Sequence, residues 1–148
     1  MNIKCFLIED TGKTTDWEDV VVNGKVLGRS KTRIYKRLDT GEEILFEHGK
    51  LPVGAIWRSE CLEEHGKPYT GIDGKSYTVM TPGGEWNIDS IASNCTKVGD
   101  VEHKCWCRHG EAPNFTVNKE GNTCSAGAGS IQIREYHGFL INGELTNC

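Results

Sequence analysis

The sequence predicts a mostly β protein: a single antiparallel domain, sandwich or barrel-like, with at most one or two short helices. Three observations lead there. Turn signals recur along the whole chain, and the apolar runs between them are short, rich in Val, Ile, Tyr and Trp, and often alternate with polar residues. Two Asn-Gly pairs stand between apolar flanks, Asn23-Gly24 in "VVVNGKVL" and Asn142-Gly143 in "FLINGEL"; this dipeptide accepts the positive φ angles of a two-residue type I′ hairpin turn. Only "RSECLEEHG", 58 to 66, has the composition of a helix, with Ser59 as N-cap and Gly66 as stop, and it is long enough for about two turns at most.

Taken in order, "MNIKCFLIEDTG" carries one lysine and a brief apolar run, too short for the apolar region of a signal peptide or a membrane span. The first Asn-Gly hairpin follows. The basic stretch "GRSKTRIYKR", 28 to 37, would alternate along a strand and reads as a solvated strand face in preference to a phosphate track. "RIYKRLDTGEEILFEH" reads as strand, turn at Asp39-Thr40-Gly41, and strand. After the helical segment, "GIDGKSYTVMTPGGEWNID" reads as strands separated by Asp73-Gly74 and by Pro82-Gly83-Gly84.

A chain of 148 residues without a linker, repeat or low-complexity tract is read as one domain, 1–148. A net charge of −4 and a pI near 5.7 argue against nonspecific nucleic-acid binding, which needs Lys and Arg to neutralise phosphates. With no signal peptide or span in view, the chain is expected to be soluble and cytosolic. Its seven cysteines then point to reduced thiols, and the odd number would leave one unpaired in any case.

The unusual residues are concentrated between 95 and 137, where Cys95, Cys105, Cys107 and Cys124 occur with His103, His109 and His137. In "VEHKCWCRHG" the residues Val101, His103, Cys105, Cys107 and His109 share one parity, so a strand here would carry every potential ligand on one face. Same-face neighbours lie about 6.5 to 7 Å apart, which puts His103 and His109 about 20 Å apart and prevents them from sharing an ion. Only two adjacent members can ligate, and the remaining donors must come from Cys95 and Cys124. The resulting pattern is Cys95, His103, Cys105 and Cys124, with His109 or His137 as substitute. Thiolate and imidazole are the ligands zinc selects in closed structural tetrahedra. The spacing contains no CxxC, so the signal is enrichment and parity. The competing reading needs no metal, because cysteine is among the most buried residue types and behaves as a small hydrophobe.

Two enzyme readings compete with these. "CWCRHGEAPN" is similar to the start of the histidine-phosphatase family, whose strand delivers Arg-His-Gly-Glu to a phosphate, but about forty residues follow His109, too few for that fold's helices. In "TCSAGAGSI", Cys124 precedes small residues whose amides could approach an oxyanion, with His137 or His109 as base; the same segment also reads as a tight turn. Glu85 and Asp89 in "TPGGEWNID" are read as hairpin residues and not as catalytic carboxylates.

The order "PGGEWNID", "SNC", "HKCWCRHG", "TCSAGAGSI", "YHGFL" resembles a family of small proteins encoded by tailed bacteriophages, over roughly residues 70 to 145. The resemblance implies a phage product in the host bacterial cytoplasm or in the virion, and carries over no activity and no catalytic residue. The expectation is a non-enzymatic binding or structural accessory protein, with a structural zinc ion and with a protein partner or self-assembly; a small ligand is compatible with it, a membrane or nucleic acid is not expected. A virion component of the head or tail is one alternative, and a small cysteine-dependent hydrolase or transferase using Cys124 and a histidine is the other.

Overall fold

The computed structural model describes residues 2–59, 63–64, 67–68, 73–90, 95–96, 105–122, 124 and 129–148. Its strands, in chain order, are β1 (Asn2–Lys4), β2 (Phe6–Thr14), β3 (Glu18–Val22), β4 (Lys25–Ser30), β5 (Arg33–Arg37), β6 (Glu43–Leu45), β7 (Ala55–Arg58) and β8 (Glu63–Glu64). They continue as β9 (Lys67–Pro68), β10 (Tyr77–Thr81), β11 (Gly84–Asn87), β12 (Cys107–His109), β13 (Thr116–Asn118), β14 (Ile131–Ile133), β15 (Tyr136–Ile141) and β16 (Glu144–Asn147). Among the described residues there is no helix, and none is therefore long and apolar enough to cross a membrane. The mostly β expectation is met.

Two six-stranded sheets carry the core. One runs β1-β16-β15-β13-β12 with β14 added at β15, and the other runs β11-β10-β7-β2-β5-β6. The chain passes from the first to the second at Cys5, between β1 and β2; this residue is buried and its N–H is fixed 2.7 Å from the Gly143 carbonyl. Pairing is antiparallel except between β2 and β7, where Phe6 faces Ala55 and Leu7 faces Ile56 in parallel. Separate two-stranded pairs are formed by β3 with β4 and by β8 with β9.

The main core lies where the sheets face each other. Ile56, Val79 and Ile88 from one side meet Phe115, Val117, Ile131, Tyr136, Leu140 and Leu145 from the other. Val117, Leu140 and Leu145 are in register across three strands, so one row of alternating positions fills the interface. Close packing fixes Gly138, where a Cβ would run into the Thr146 carbonyl and the Tyr136 hydroxyl. The second sheet has a further cluster on its outer face, formed by Phe6, Ile8, Tyr35, Leu51, Ala55, Trp57 and Met80. Burial on both faces explains why β7 and β10 read as continuous runs and not as alternation.

Local turn chemistry matches the sequence at several places. Asn23 and Gly24 have φ of 52° and 78°, Asn142 and Gly143 of 48° and 74°, and each pair joins adjacent registered strands. The Pro82-Gly83 turn joins β10 to β11, and Gly41 closes the turn between β5 and β6. The basic stretch at 28 to 37 is not one strand: β4 ends at Ser30 and β5 begins at Arg33. Of the helix expected over 58 to 66, residues 60–62 and 65–66 lie outside the described residues, and the described part corrects it: Arg58 ends β7, and Glu63–Glu64 pair antiparallel with Lys67–Pro68. A backbone extended for strand pairing at Glu63–Glu64 cannot also carry helical i to i−4 bonds there.

Candidate metal centre

Arg108 explains part of "CWCRHG". It leaves β12 toward the other sheet, its side chain only 7% exposed. Its Nη2 and Nη1 donate to the two oxygens of Asp73 at 2.8 and 3.1 Å. Nε donates to Asp89 at 3.2 Å, and Nη2 also reaches the Lys75 carbonyl at 3.1 Å. The guanidinium lies 4.8 Å from the ring centre of Tyr77 and 5.0 Å from that of Phe115. Asp89 further accepts the Tyr77 N–H at 2.9 Å. Burial pushes the Asp89 carboxyl above its usual range against the pull of Arg108, whereas the Arg108 hydrogen bonds hold Asp73 down at about 2. This buried fork ties β12 to the segments that flank the β10–β11 hairpin.

His109, the next residue, is exposed and has Nε2 2.9 Å from Asn118 Oδ1. Successive strand residues point to opposite faces, so Arg108 and His109 do not converge as a histidine-phosphatase site requires. Glu85 is engaged as well, with its carboxylate 3.2 Å from His48 Nδ1 and 3.0 Å from the Gly49 N–H.

The parity argument holds for less of the chain than the sequence suggests. Strand β12 starts only at Cys107, and Cys105-Trp106 is a bend; residues 101–104, with His103, lie outside the described residues. The bend turns Cys105 inward, to 1% exposure. There its sulfur meets those of Cys95 and Cys124, all three within 4.8 Å of one another. Cys105 Sγ and Cys124 Sγ are 3.9 Å apart. A disulfide requires about 2.05 Å, whereas two sulfurs bound to one zinc at about 2.3 Å in a tetrahedron stand about 3.8 Å apart. The separation has the scale of a shared metal ion. These three cysteines form a cluster that could hold one.

The other sequence candidates are placed elsewhere. Cys107 packs toward Gly121, where an added Cβ would lie 3.4 Å from its sulfur. His137 is exposed, with Nε2 2.9 Å from Ser130 Oγ. Neither His109 nor His137 stands within 4.8 Å of all three clustered sulfurs. As substitutes for a fourth ligand, or as the base for Cys124, these histidines are not brought to the cluster; His103 and the amides of residues 125–128 in the oxyanion reading fall outside the described residues. Cys5 fits the buried-thiol reading, since burial pushes it up to about 12 and keeps it protonated.

One residue near this end carried no sequence signal. Lys119 Nζ is buried without a hydrogen-bond partner among the described residues and sits 4.0 Å from the centre of the Trp106 ring, one residue from Cys105. Trp106 in turn meets Trp86 edge to face at 5.0 Å. An amine placed over an aromatic face in this way has the geometry of a cation–π contact.

No protein-family model, no curated protein and no solved structure matches the chain.

Proposed function

We propose that the chain is a non-enzymatic accessory protein of a phage whose C-terminal third is held by a structural zinc ion. The observation that carries the metal reading is the convergence of the Cys95, Cys105 and Cys124 sulfurs within 4.8 Å of one another, with Cys105 and Cys124 3.9 Å apart. Their order in the sequence supports a structural role. The ligands span 95 to 124, so an ion would cross-link positions up to 29 residues apart in the chain, and its binding free energy would be folding free energy. His103 is the fourth ligand in this reading, which leaves no open position for a catalytic water. The family resemblance supports the phage setting and the host cytoplasm or the virion as location. The engaged side chains of Arg108, Asp89, Glu85, His109 and His137 favour binding or structural work over catalysis.

The test is elemental analysis of protein purified without an affinity tag, with thiol titration before and after chelation. The expected result is about one zinc per chain, with three thiols becoming reactive only after chelation and cobalt giving tetrahedral thiolate bands. Cys95→Ser and Cys124→Ser should each lose the metal, and His109→Ala and His137→Ala should keep it. Metal-free protein with one selectively reactive thiol at Cys124 would overturn the reading in favour of cysteine chemistry.

A virion role has its own support in the β3–β4 hairpin, which exposes Val20, Val21, Val22, Val26 and Leu27 and pairs with no other strand among the described residues. Unpaired edges of this kind accept a neighbouring strand. Sedimentation across a concentration series distinguishes a self-assembling protein from a monomeric one.

A further inference from the structure

The outer face of the β11-to-β6 sheet opens where two strands part. β2 and β7 pair only at Phe6 with Ala55 and Leu7 with Ile56. Beyond that point β2 follows β5 as far as Thr14 opposite Arg33, and β7 follows β10 to Arg58 opposite Tyr77. Residues from both sides of the split line a groove of about 680 Å³, within the usual size of small-ligand sites, about 300 to 1,000 Å³.

Its lining combines two chemistries. Tyr35, Phe46 and Trp57 supply an aromatic floor, with Phe46 stacked on Tyr35 at 4.2 Å and edge-on to Trp57 at 5.6 Å. Lys31, Arg33 and Arg58 supply three cations. Arg58 makes no ion pair among the described residues, and Arg33 has only a loose, exposed contact to Asp10 at 3.9 Å. The carboxylate in the lining, Glu85, is held by His48 and the Gly49 N–H. Thr78 and Asn87 add uncharged hydrogen-bonding groups.

An apolar aromatic floor favours a planar ring, and cations in excess favour an anion. A ligand that offers both within a single small molecule satisfies the whole lining. We propose that this groove binds a nucleoside monophosphate, its base over the aromatic floor and its phosphate held by Arg58 with Arg33 and Lys31. A free nucleotide suits the site better than a nucleic-acid strand, because the net charge of −4 opposes a polyanion whose affinity rests on many neutralised phosphates. The site uses none of the clustered cysteines, so it stands or falls apart from the metal reading.

The test is titration of the protein, as purified, with the four common ribonucleoside monophosphates, followed by tryptophan fluorescence and calorimetry. Adenosine, inorganic phosphate and a short oligothymidylate are the comparison probes. The expected result is saturable binding of at least one monophosphate with Kd below about 1 mM. Its nucleoside and inorganic phosphate should each bind at least about tenfold more weakly. Arg58→Ala and Lys31→Ala, both exposed positions, should weaken binding by about tenfold and by less than that, respectively, with an unchanged melting transition. Failure of every monophosphate to saturate overturns the proposal. So does inorganic phosphate binding as tightly as the nucleotide, affinity untouched in both variants, or oligothymidylate binding more tightly than any monophosphate.

Discussion

Asn23-Gly24 and Asn142-Gly143 close hairpins of the same local geometry, yet the two turns do different work. Around Asn142-Gly143 the chain is fixed on three sides: the Gly143 carbonyl accepts from the Cys5 N–H, its N–H donates to the Phe115 carbonyl, and the Asn142 N–H donates to Thr116 Oγ1. The following strand sends Leu145 into the core at 1% exposure. Around Asn23-Gly24 nothing among the described residues comes within 4 Å of a Cβ built on Gly24, and Leu27 in the following strand is 67% exposed. An isolated two-stranded hairpin is marginal in water. The difference shows that turn chemistry specifies a local bend, while long-range packing decides whether that bend contributes to global stability. Matched substitutions in the two regions test this directly.

The largest contrast is expected between two arginines. Arg108→Met removes the cation from buried Asp89 and strands its carboxylate, which should cost about 3 to 5 kcal/mol of global stability. Arg29→Met in the outer hairpin breaks a contact to Asp19 at 3.7 Å between two exposed side chains and should change the denaturation midpoint by less than about 0.5 kcal/mol. Equal effects would mean that the hairpin is docked on something in solution. Next come the leucines. Leu145→Ala should cost about 2 to 5 kcal/mol through lost burial and a cavity, whereas Leu27→Ala should leave the midpoint within about 0.5 kcal/mol.

The glycines give a smaller contrast. At Gly143 an alanine meets the Pro113 carbonyl at 2.7 Å in addition to its positive φ, and should cost about 2 to 3 kcal/mol globally. At Gly24 only the φ penalty applies, about 1 kcal/mol. That penalty falls on a unit able to open alone, so hydrogen exchange of residues 18–30 should accelerate while the global midpoint stays.

The same distinction separates what could be read in the sequence from what could not. Both Asn-Gly hairpins, the Pro82-Gly83 turn and the all-β class follow from local rules on alternation and φ. The turn at Arg134-Glu135 contains no glycine, although Arg134 adopts a φ of 51°, and it had no signal. "SECLEEHG" has helical composition but carries strand at Glu63–Glu64, because pairing overrides a weak propensity. At the site, enrichment pointed to Cys95, Cys105 and Cys124, yet parity placed Cys105 and Cys107 together when the bend at Cys105-Trp106 turns the first inward alone. The Arg108 fork and the groove at the β2–β7 split join residues 19 to 35 positions apart or strands distant in sequence. No local pattern encodes such meetings.

The smallest expected effect concerns acid. Arg108 holds the Asp73 carboxyl at about 2, below its ordinary 3.8, so over that interval the native state binds fewer protons at this residue than the unfolded chain. The stability Asp73 contributes is therefore present above the ordinary value and lost as the pH falls through about 2. Its side chain is 41% exposed, so solvent screening reduces the contribution to about 1 kcal/mol or less. Asp89 acts in the opposite sense: with its carboxyl pushed up by burial, the folded state takes up this proton first, and protonation there favours folding as the pH falls. Wild type and Asp73→Asn, both compared after chelation so that metal loss does not intervene, should differ in stability near neutrality and converge as the pH approaches 2. A difference that stays constant across that interval would show that Arg108 does not hold Asp73 as an ion pair, and that the buried contact to Asp89 alone ties the two sheets at this end.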